Sequence, residues 1–191
     1  YGSRPLKAVP GKTTRPTSDK VKESMFNLLG HYFDGGICLD FYGGSGGLAI
    51  EAVSRGMDQA VITERYRPAQ ETIEENIAMT KEKDKFHLLK GSNRQALLTW
   101  ARTREIRFNL VLLDPPYAKQ KIEEDILWLE DHDMLAKNCQ ILCETGSDLR
   151  LPESLGEWTC QRMKEYGQTR LWLYERKTHD LSLIHISEPT R

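Results

Sequence analysis

The amino-acid sequence predicts an α/β fold: a seven-stranded, mostly parallel sheet with helices on both faces and the last strand pair antiparallel. Three observations predict it. Strand-like and helix-like intervals alternate from Ile37 onward in a βαβαβ pattern, which favours a parallel sheet covered on both sides. The run Phe108–Leu113 is apolar except for Asn109, as a strand buried on both faces tends to be. With 191 residues, 39% of them hydrophobic and 29% charged, the chain can bury one sizeable core under a charged surface.

The elements follow in order. After an opening rich in proline, glycine and threonine, Thr17 can cap a helix whose first turn holds Ser18 and Asp19. Val21, Met25, Leu28 and Leu29 share one face of it. Strands are predicted near 37–42, 60–64, 86–90, 108–113, 139–144, 158–163 and 170–176, and further helices near 46–55, 67–80, 93–102 and 119–133. Tyr166-Gly167-Gln168 reads as a turn, so the last two strands pair antiparallel. The chain divides into a basic segment and helix over 1–36, the α/β domain over 37–177, and a tail over 178–191 that is set outside the fold.

Composition excludes several classes. Nothing approaches the roughly 18 apolar residues of a membrane helix, and no apolar stretch follows the basic start as a secretory signal requires. A cytoplasmic protein without membrane association is expected. Cys38, Cys139, Cys143 and Cys160 have no zinc spacing, and His31, His87, His132, His179 and His185 are scattered, so no metal is expected. The net charge of −1 conceals an asymmetry: residues 1–22 carry +5 and the remainder −6. Arg4, Lys7, Lys12 and Arg15 of that opening are candidates to meet nucleic-acid phosphates, against the plainer reading of a solvated tail.

The turn Asp40-Phe41-Tyr42-Gly43-Gly44-Ser45-Gly46 joins the first strand of the α/β domain to its first helix. Gly44 through Ala49 satisfies the dinucleotide pattern GxGxxA, and Glu64, 20 residues after Gly44, stands where a carboxylate would hold ribose hydroxyls. A nicotinamide-dependent oxidoreductase is therefore one reading. Asp40 weighs against it, because a carboxylate beside the loop repels a pyrophosphate. It suits a ligand with an amine and a sulfonium and no phosphate, as in S-adenosylmethionine.

Asp114-Pro115-Pro116-Tyr117 follows the buried run directly. The prolines remove two N–H donors and leave carbonyl acceptors, Asp114 adds another, and Tyr117 offers an aromatic face. That set fits a planar base with an exocyclic amine, bound by its N–H groups and stacked on the ring. The face is what stacking needs, so phenylalanine is expected to serve in place of Tyr117. About 70 residues after the glycine turn in a βαβ series, the motif is a strong signal.

At these residues the sequence resembles the seven-stranded S-adenosylmethionine-dependent methyltransferases, most closely the bacterial RsmD-type 16S rRNA guanine-N2 methyltransferases. The resemblance runs from Arg4 to about Lys177. It rests on Arg15-Pro-Thr-Ser-Asp-Lys-Val-Lys-Glu-Ser-Met-Phe-Asn27, the glycine turn, Glu51-Ala-Val-Ser-Arg-Gly56, Asp114–Tyr117 and Tyr166-Gly167-Gln168-Thr169. The Arg-Pro-Thr segment is the specific part, since the glycine turn and Asp-Pro-Pro-Tyr are shared with DNA adenine methyltransferases. Tyr66 stands where family members often carry an aspartate, Gly43 and Ala49 are small-residue exchanges, and the family's amino-terminal strand is expected before Tyr1.

The resemblance implies a Rossmann-like class I methyltransferase domain with S-adenosylmethionine as cofactor. Glu64 would bind its ribose and Asn93 its adenine amine. Asp40, Gly44 and Gly46 would hold the methionine end, with Tyr42 and Ser45 of the same turn among the contacts. Asp114, Pro115, Pro116 and Tyr117 would be catalytic, acting on a guanine N2 of 16S rRNA in a small-subunit particle, with a monomer favoured. N6-adenine methylation of DNA or RNA and a catalytically silent RNA-binding assembly factor stay open beside this reading. A separate target-recognition region, usual in DNA enzymes of this class, has little room in 191 residues.

Overall fold

The computed structural model describes residues 5–10 and 19–178. Arg4, Lys12, Arg15, the proposed cap Thr17 and residues 179–191 lie outside the described residues. Helix α1 (Asp19–Leu29) leads into β1 (Ile37–Asp40), α2 (Gly47–Ser54), β2 (Gln59–Glu64), α3 (Arg67–Thr80), β3 (Phe86–Lys90), α4 (Asn93–Ala101) and β4 (Phe108–Leu113). Helix α5 (Ile122–Asp131), β5 (Leu135–Gly146), β6 (Ser154–Leu155), β7 (Trp158–Tyr166) and β8 (Thr169–Arg176) follow. Among the described residues no helix is long and apolar enough to cross a membrane.

The strands among the described residues form one sheet in the order β3-β2-β1-β4-β5-β8-β7-β6. The first five are parallel, and β8, β7 and β6 join antiparallel. Strand alternation divides the core. Cys38, Ile62, Leu112, Leu142 and Leu171 face the side holding α1, α2 and α3, where Met25, Phe26, Ala49 and Ile73 pack. Leu39, Val61, Val111, Cys143 and Trp172 face the other side, against Leu97 of α4 and Ile122, Ile126 and Leu129 of α5. Helix α3 shows the underlying pattern: Ala69, Thr72, Ile73, Asn76, Ile77 and Thr80 are buried at helical spacing, behind Pro68 in its first turn.

The sheet has eight strands where seven were expected. The additional one is β6, a two-residue edge pairing Ser154 with Thr159 and Leu155 with Trp158, too short to produce a period in the sequence. Strand β5 begins at Leu135, before the expected 139, because exposed Lys137 and Asn138 interrupt the apolar run that marks its core. The helix expected over 119–133 is shorter: Tyr117–Lys119 is a separate 3-10 turn and α5 starts at Ile122.

The topology determines where a ligand can enter. The chain winds outward from β1 through β2 to β3, then returns to place β4 on the other side of β1. The loops leaving β1 and β4 therefore part in opposite directions at the carboxyl edge of the sheet, which leaves a crevice between them.

Candidate active site

A cleft of about 1650 Å³ opens at that edge. Tyr42, Gly44, Ser45, Glu64 and Asn93 line it, and so do Asp114, Pro115, Pro116 and Tyr117. Two motifs read from separate stretches of sequence thus share one cavity. Asp40 and Gly46 do not reach its wall: Asp40 is fully buried behind the turn, and Gly46 begins α2.

The turn is held by backbone contacts that demand glycine. Gly43 donates its N–H to the Thr63 carbonyl at 3.0 Å. A Cβ there would come within 2.6 Å of Ile62 Cγ2 and 3.2 Å of the Thr63 oxygen, so this small residue sets how closely β1 and β2 run. Gly46 has φ 82°, the left-handed region, as it caps α2. Glu64 ties the tip of the turn in place. Its Oε1 accepts from Gly44 N–H and its Oε2 from Tyr66 N–H, both at 2.8 Å. Each carboxylate oxygen keeps a further lone pair for a hydroxyl in the cleft.

Asp40 is held less well. Its Oδ1 accepts a long bond, 3.4 Å, from Tyr42 N–H, and its Oδ2 is buried with no hydrogen-bond partner among the described residues. Burial pushes the carboxyl well above the usual carboxylate range, and the charges of Asp114 and then Glu64 push the same way, against the Tyr42 bond. Glu64, Asp40, Asp114 and Glu144 close the runs of β2, β1, β4 and β5, four neighbouring strands. Each stands two residues beyond Ile62, Cys38, Leu112 or Leu142, so alternation assigns all four acids to the α1–α3 face. An orphaned buried carboxyl oxygen within such a row fits a cationic ligand and disfavours a pyrophosphate.

Asn93 heads α4. Its Oδ1 accepts from Arg94 N–H at 2.8 Å, and its Nδ2 donates to the Phe41 carbonyl at 3.4 Å. Beside it, Asp125 of α5 is buried and accepts from the Tyr42 hydroxyl at 2.5 Å and from Arg94 Nη2 at 3.1 Å. Burial raises the Asp125 carboxyl, while Tyr42 and Arg94 oppose that shift. Burial and the same carboxylate raise the Tyr42 phenol. The Arg94 guanidinium also lies 5.6 Å over the Trp128 ring. Tyr42, expected as a cofactor contact, is also the pin between the glycine turn and α5.

Tyr117 is 45% exposed. Its ring rests against Gly146, where a Cβ would stand 3.6 Å from Cδ2. The hydroxyl is engaged as well: it donates to Glu144 Oε2 at 3.2 Å and lies 3.2 Å from Thr169 Oγ1. The turn Tyr166–Thr169, a sequence motif without an expected role, delivers Thr169 to this point.

The amino-terminal segment also meets the site. Pro5 to Val9 line the cleft, and buried Asn76 of α3 clamps them. Asn76 Oδ1 accepts from Lys7 N–H at 2.8 Å, and its Nδ2 donates to the Lys7 carbonyl at 3.1 Å and the Ser45 carbonyl at 2.8 Å. The Lys7 ammonium pairs with Glu75 at 2.8 Å, with both side chains more than half exposed, so the pair is weak and open to competition by a phosphate.

Sequence reasoning missed Asn76, Arg94, Asp125, Glu144 and Thr169. The partners of Asp125 lie 83 and 31 residues away, so nothing local marks it among the acids opening α5. Glu144 did leave a signal, since an acid ends its apolar strand run as Asp40 and Asp114 end theirs.

Comparison with known proteins agrees with this geometry. A family profile described as Conserved hypothetical protein 95 matches residues 1–175. YlbH of Bacillus subtilis (strain 168) is 40% identical over 174 residues, covering 91% of this chain and 94% of that protein. Ribosomal RNA small subunit methyltransferase D of Escherichia coli (strain K12) is 34% identical over 173 residues, covering 91% and 84%. Among solved structures, a conserved hypothetical protein of Streptococcus pyogenes superposes with a TM-score of 0.78 at 41% identity, over 84% of this chain and 98% of that one. Profile, relatives and superposition all span the glycine turn and Asp114–Tyr117, and the chain belongs to the Conserved hypothetical protein 95 family, that of the RsmD-type methyltransferases.

Proposed function

We propose that the protein is an S-adenosylmethionine-dependent methyltransferase that modifies the N2 amine of guanine in small-subunit rRNA. The observation that carries the reading is the shared cleft: the amine-accepting Asp114–Tyr117 faces the same cavity as the glycine turn and Glu64. The relative named ribosomal RNA small subunit methyltransferase D supports the rRNA substrate.

When bound, S-adenosylmethionine supplies a methyl group on a positively charged sulfur, a leaving group that needs no acid. Glu64 would take its ribose hydroxyls, and Asn93 its adenine amine. Asp40 and its neighbouring acids favour the cationic end. The target base leaves its stack and lies against Tyr117. Its N2 lone pair is delocalised into the ring, so the amine is a poor nucleophile. Hydrogen bonds to Asp114 and the Pro115 carbonyl, within a turn stiffened by Pro116, draw the nitrogen toward tetrahedral geometry and aim the pair at the methyl. Asp114 would take the proton that the amine gives up as it gains the methyl group. Positioning contributes most of the acceleration. Arg4, Lys7, Lys12 and Arg15 meet phosphates of a cytoplasmic small-subunit particle, and a monomer suffices.

The test is nucleoside mass spectrometry of rRNA from cells with and without the protein. Loss of an N2-methylguanine from small-subunit rRNA is the expected result. Loss of N6-methyladenine instead would move the substrate, and an unchanged profile would remove the reading.

A further inference from the structure

We propose that Glu144 reads the target base, accepting the N1–H of guanine while Asp114 takes the adjacent N2 amine, and so excludes the other amino bases. The proposal rests on the guanine-N2 reading above and deepens it.

Geometry supplies the first argument. Strands β4 and β5 are parallel, with Leu112 paired to Leu142 and Leu113 to Cys143. Extending that register one step beyond the end of β4 brings Asp114 alongside Glu144. Neighbouring strands lie about 4.8 Å apart, so two carboxylates stand side by side at the carboxyl edge. Both line the cleft, on the side that also holds Tyr117. Glu144 is buried, and its Oε2 is held by the Tyr117 hydroxyl at 3.2 Å, so the carboxylate is fixed beside the ring on which a base would stack. An oxygen that accepts one hydrogen bond retains a lone pair for a second.

Base chemistry supplies the second. A carboxylate only accepts. The adenine N6 amine is flanked by N1 and N7, both acceptors, and the cytosine N4 amine by N3, an acceptor, and a C–H. The guanine N2 amine alone has a ring N–H beside it. Two adjacent acceptors therefore match the two adjacent donors of guanine, and set a negative oxygen against a lone pair in adenine or cytosine. A site built to bind a particular N–H rejects analogues lacking it far more strongly than shape alone can, because its buried polar group is then left unpaired.

The plainer role for Glu144 is to buttress Tyr117, and the experiment separates the two. Wild-type enzyme is first used to locate the methylated nucleotide and identify the product. RNAs carrying guanine or 2-aminopurine at that position are then compared. 2-Aminopurine keeps the 2-amino group but has an unprotonated N1. Reading by Glu144 requires wild-type kcat/KM to fall at least tenfold on 2-aminopurine. Glu144→Gln, whose amide can still accept from Tyr117 and can also donate to N1, must bring that ratio down at least tenfold. Thr169→Val, which removes the hydroxyl that meets Tyr117, must lower transfer to both RNAs alike. If Glu144→Gln reduces both substrates in equal proportion, as Thr169→Val does, Glu144 is only a buttress and the proposal is overturned. If the wild-type product is N6-methyladenine, the guanine reading itself falls before any variant is made.

Discussion

Asn76 offers a perturbation whose size follows from its hydrogen bonds. Its side chain is fully buried and makes three neutral hydrogen bonds, two with the Lys7 backbone and one with the Ser45 carbonyl. Each such bond contributes about 0.5–1.5 kcal/mol net, so Asn76→Ala should cost roughly 3 kcal/mol. For a chain of this size each kcal/mol lowers Tm by about 2–4 °C, which gives a fall of about 6–12 °C. Asn76→Asp should be worse, because it keeps the acceptor for Lys7 N–H but sets a carboxylate oxygen against two carbonyls. Thermal unfolding monitored by circular dichroism measures the fall. Calorimetry with S-adenosylhomocysteine should show weaker binding as well, since Ser45 and residues 5–9 both line the cleft. A Tm within about 2 °C of wild type, with unchanged affinity, would refute the clamp.

Further outcomes are expected at the cleft and at the amino terminus. Asp114→Ala should retain fold and cofactor affinity but lose at least about tenfold in methyl transfer, since a charge-assisted hydrogen bond is worth roughly 1.5–3 kcal/mol; labelled-methyl assays decide it. Asp40 binds a proton in the folded state at pH values where the unfolded carboxyl, near about 3.9, has lost it, so its contribution to stability is full below that pH and declines as pH rises through the raised folded value. Asp40→Asn should flatten that decline in denaturation series, and a cationic ligand that ionises Asp40 should release protons, measured by calorimetry in buffers of different ionisation heat. Lys7→Gln should reduce the slope of log affinity for RNA against log salt by about 0.7, the value for one single-strand phosphate contact, while an unaltered slope would leave Lys7 merely solvated.

Much of this architecture was legible in the sequence because its signals are local. Buried parallel strands announce themselves as apolar runs, and the glycine turn and Asp114–Tyr117 each occupy a few consecutive residues. What escaped has no local expression. Strand β6 is two residues long, and β5 begins within a polar stretch. Asn76, Asp125 and Thr169 gain their roles from partners 69, 83 and 52 residues away, through contacts that only the closed sheet creates. Tyr117 illustrates the mixture. Its aromatic face was readable from the motif, whereas the engagement of its hydroxyl with Glu144 and Thr169 was not, and phenylalanine is therefore no longer an equivalent replacement.

The position of β8 has a consequence for how the protein is made. Among the described residues this strand is the last in sequence, yet it lies inside the sheet, between β5 and β7. Synthesis runs from the amino terminus, so the nascent chain exposes the full edge of β5 until β8 has emerged from the ribosome. That edge includes Ile141, Leu142 and Cys143, an apolar row able to pair with a neighbouring chain. Thr169, the first residue of β8, is also the one that reaches the Tyr117 hydroxyl. A chain that stops before that residue leaves the β5 edge open and the Tyr117 hydroxyl without its Thr169 contact. Emergence of β8 thus closes the edge of β5 and brings Thr169 to the Tyr117 hydroxyl in the same step.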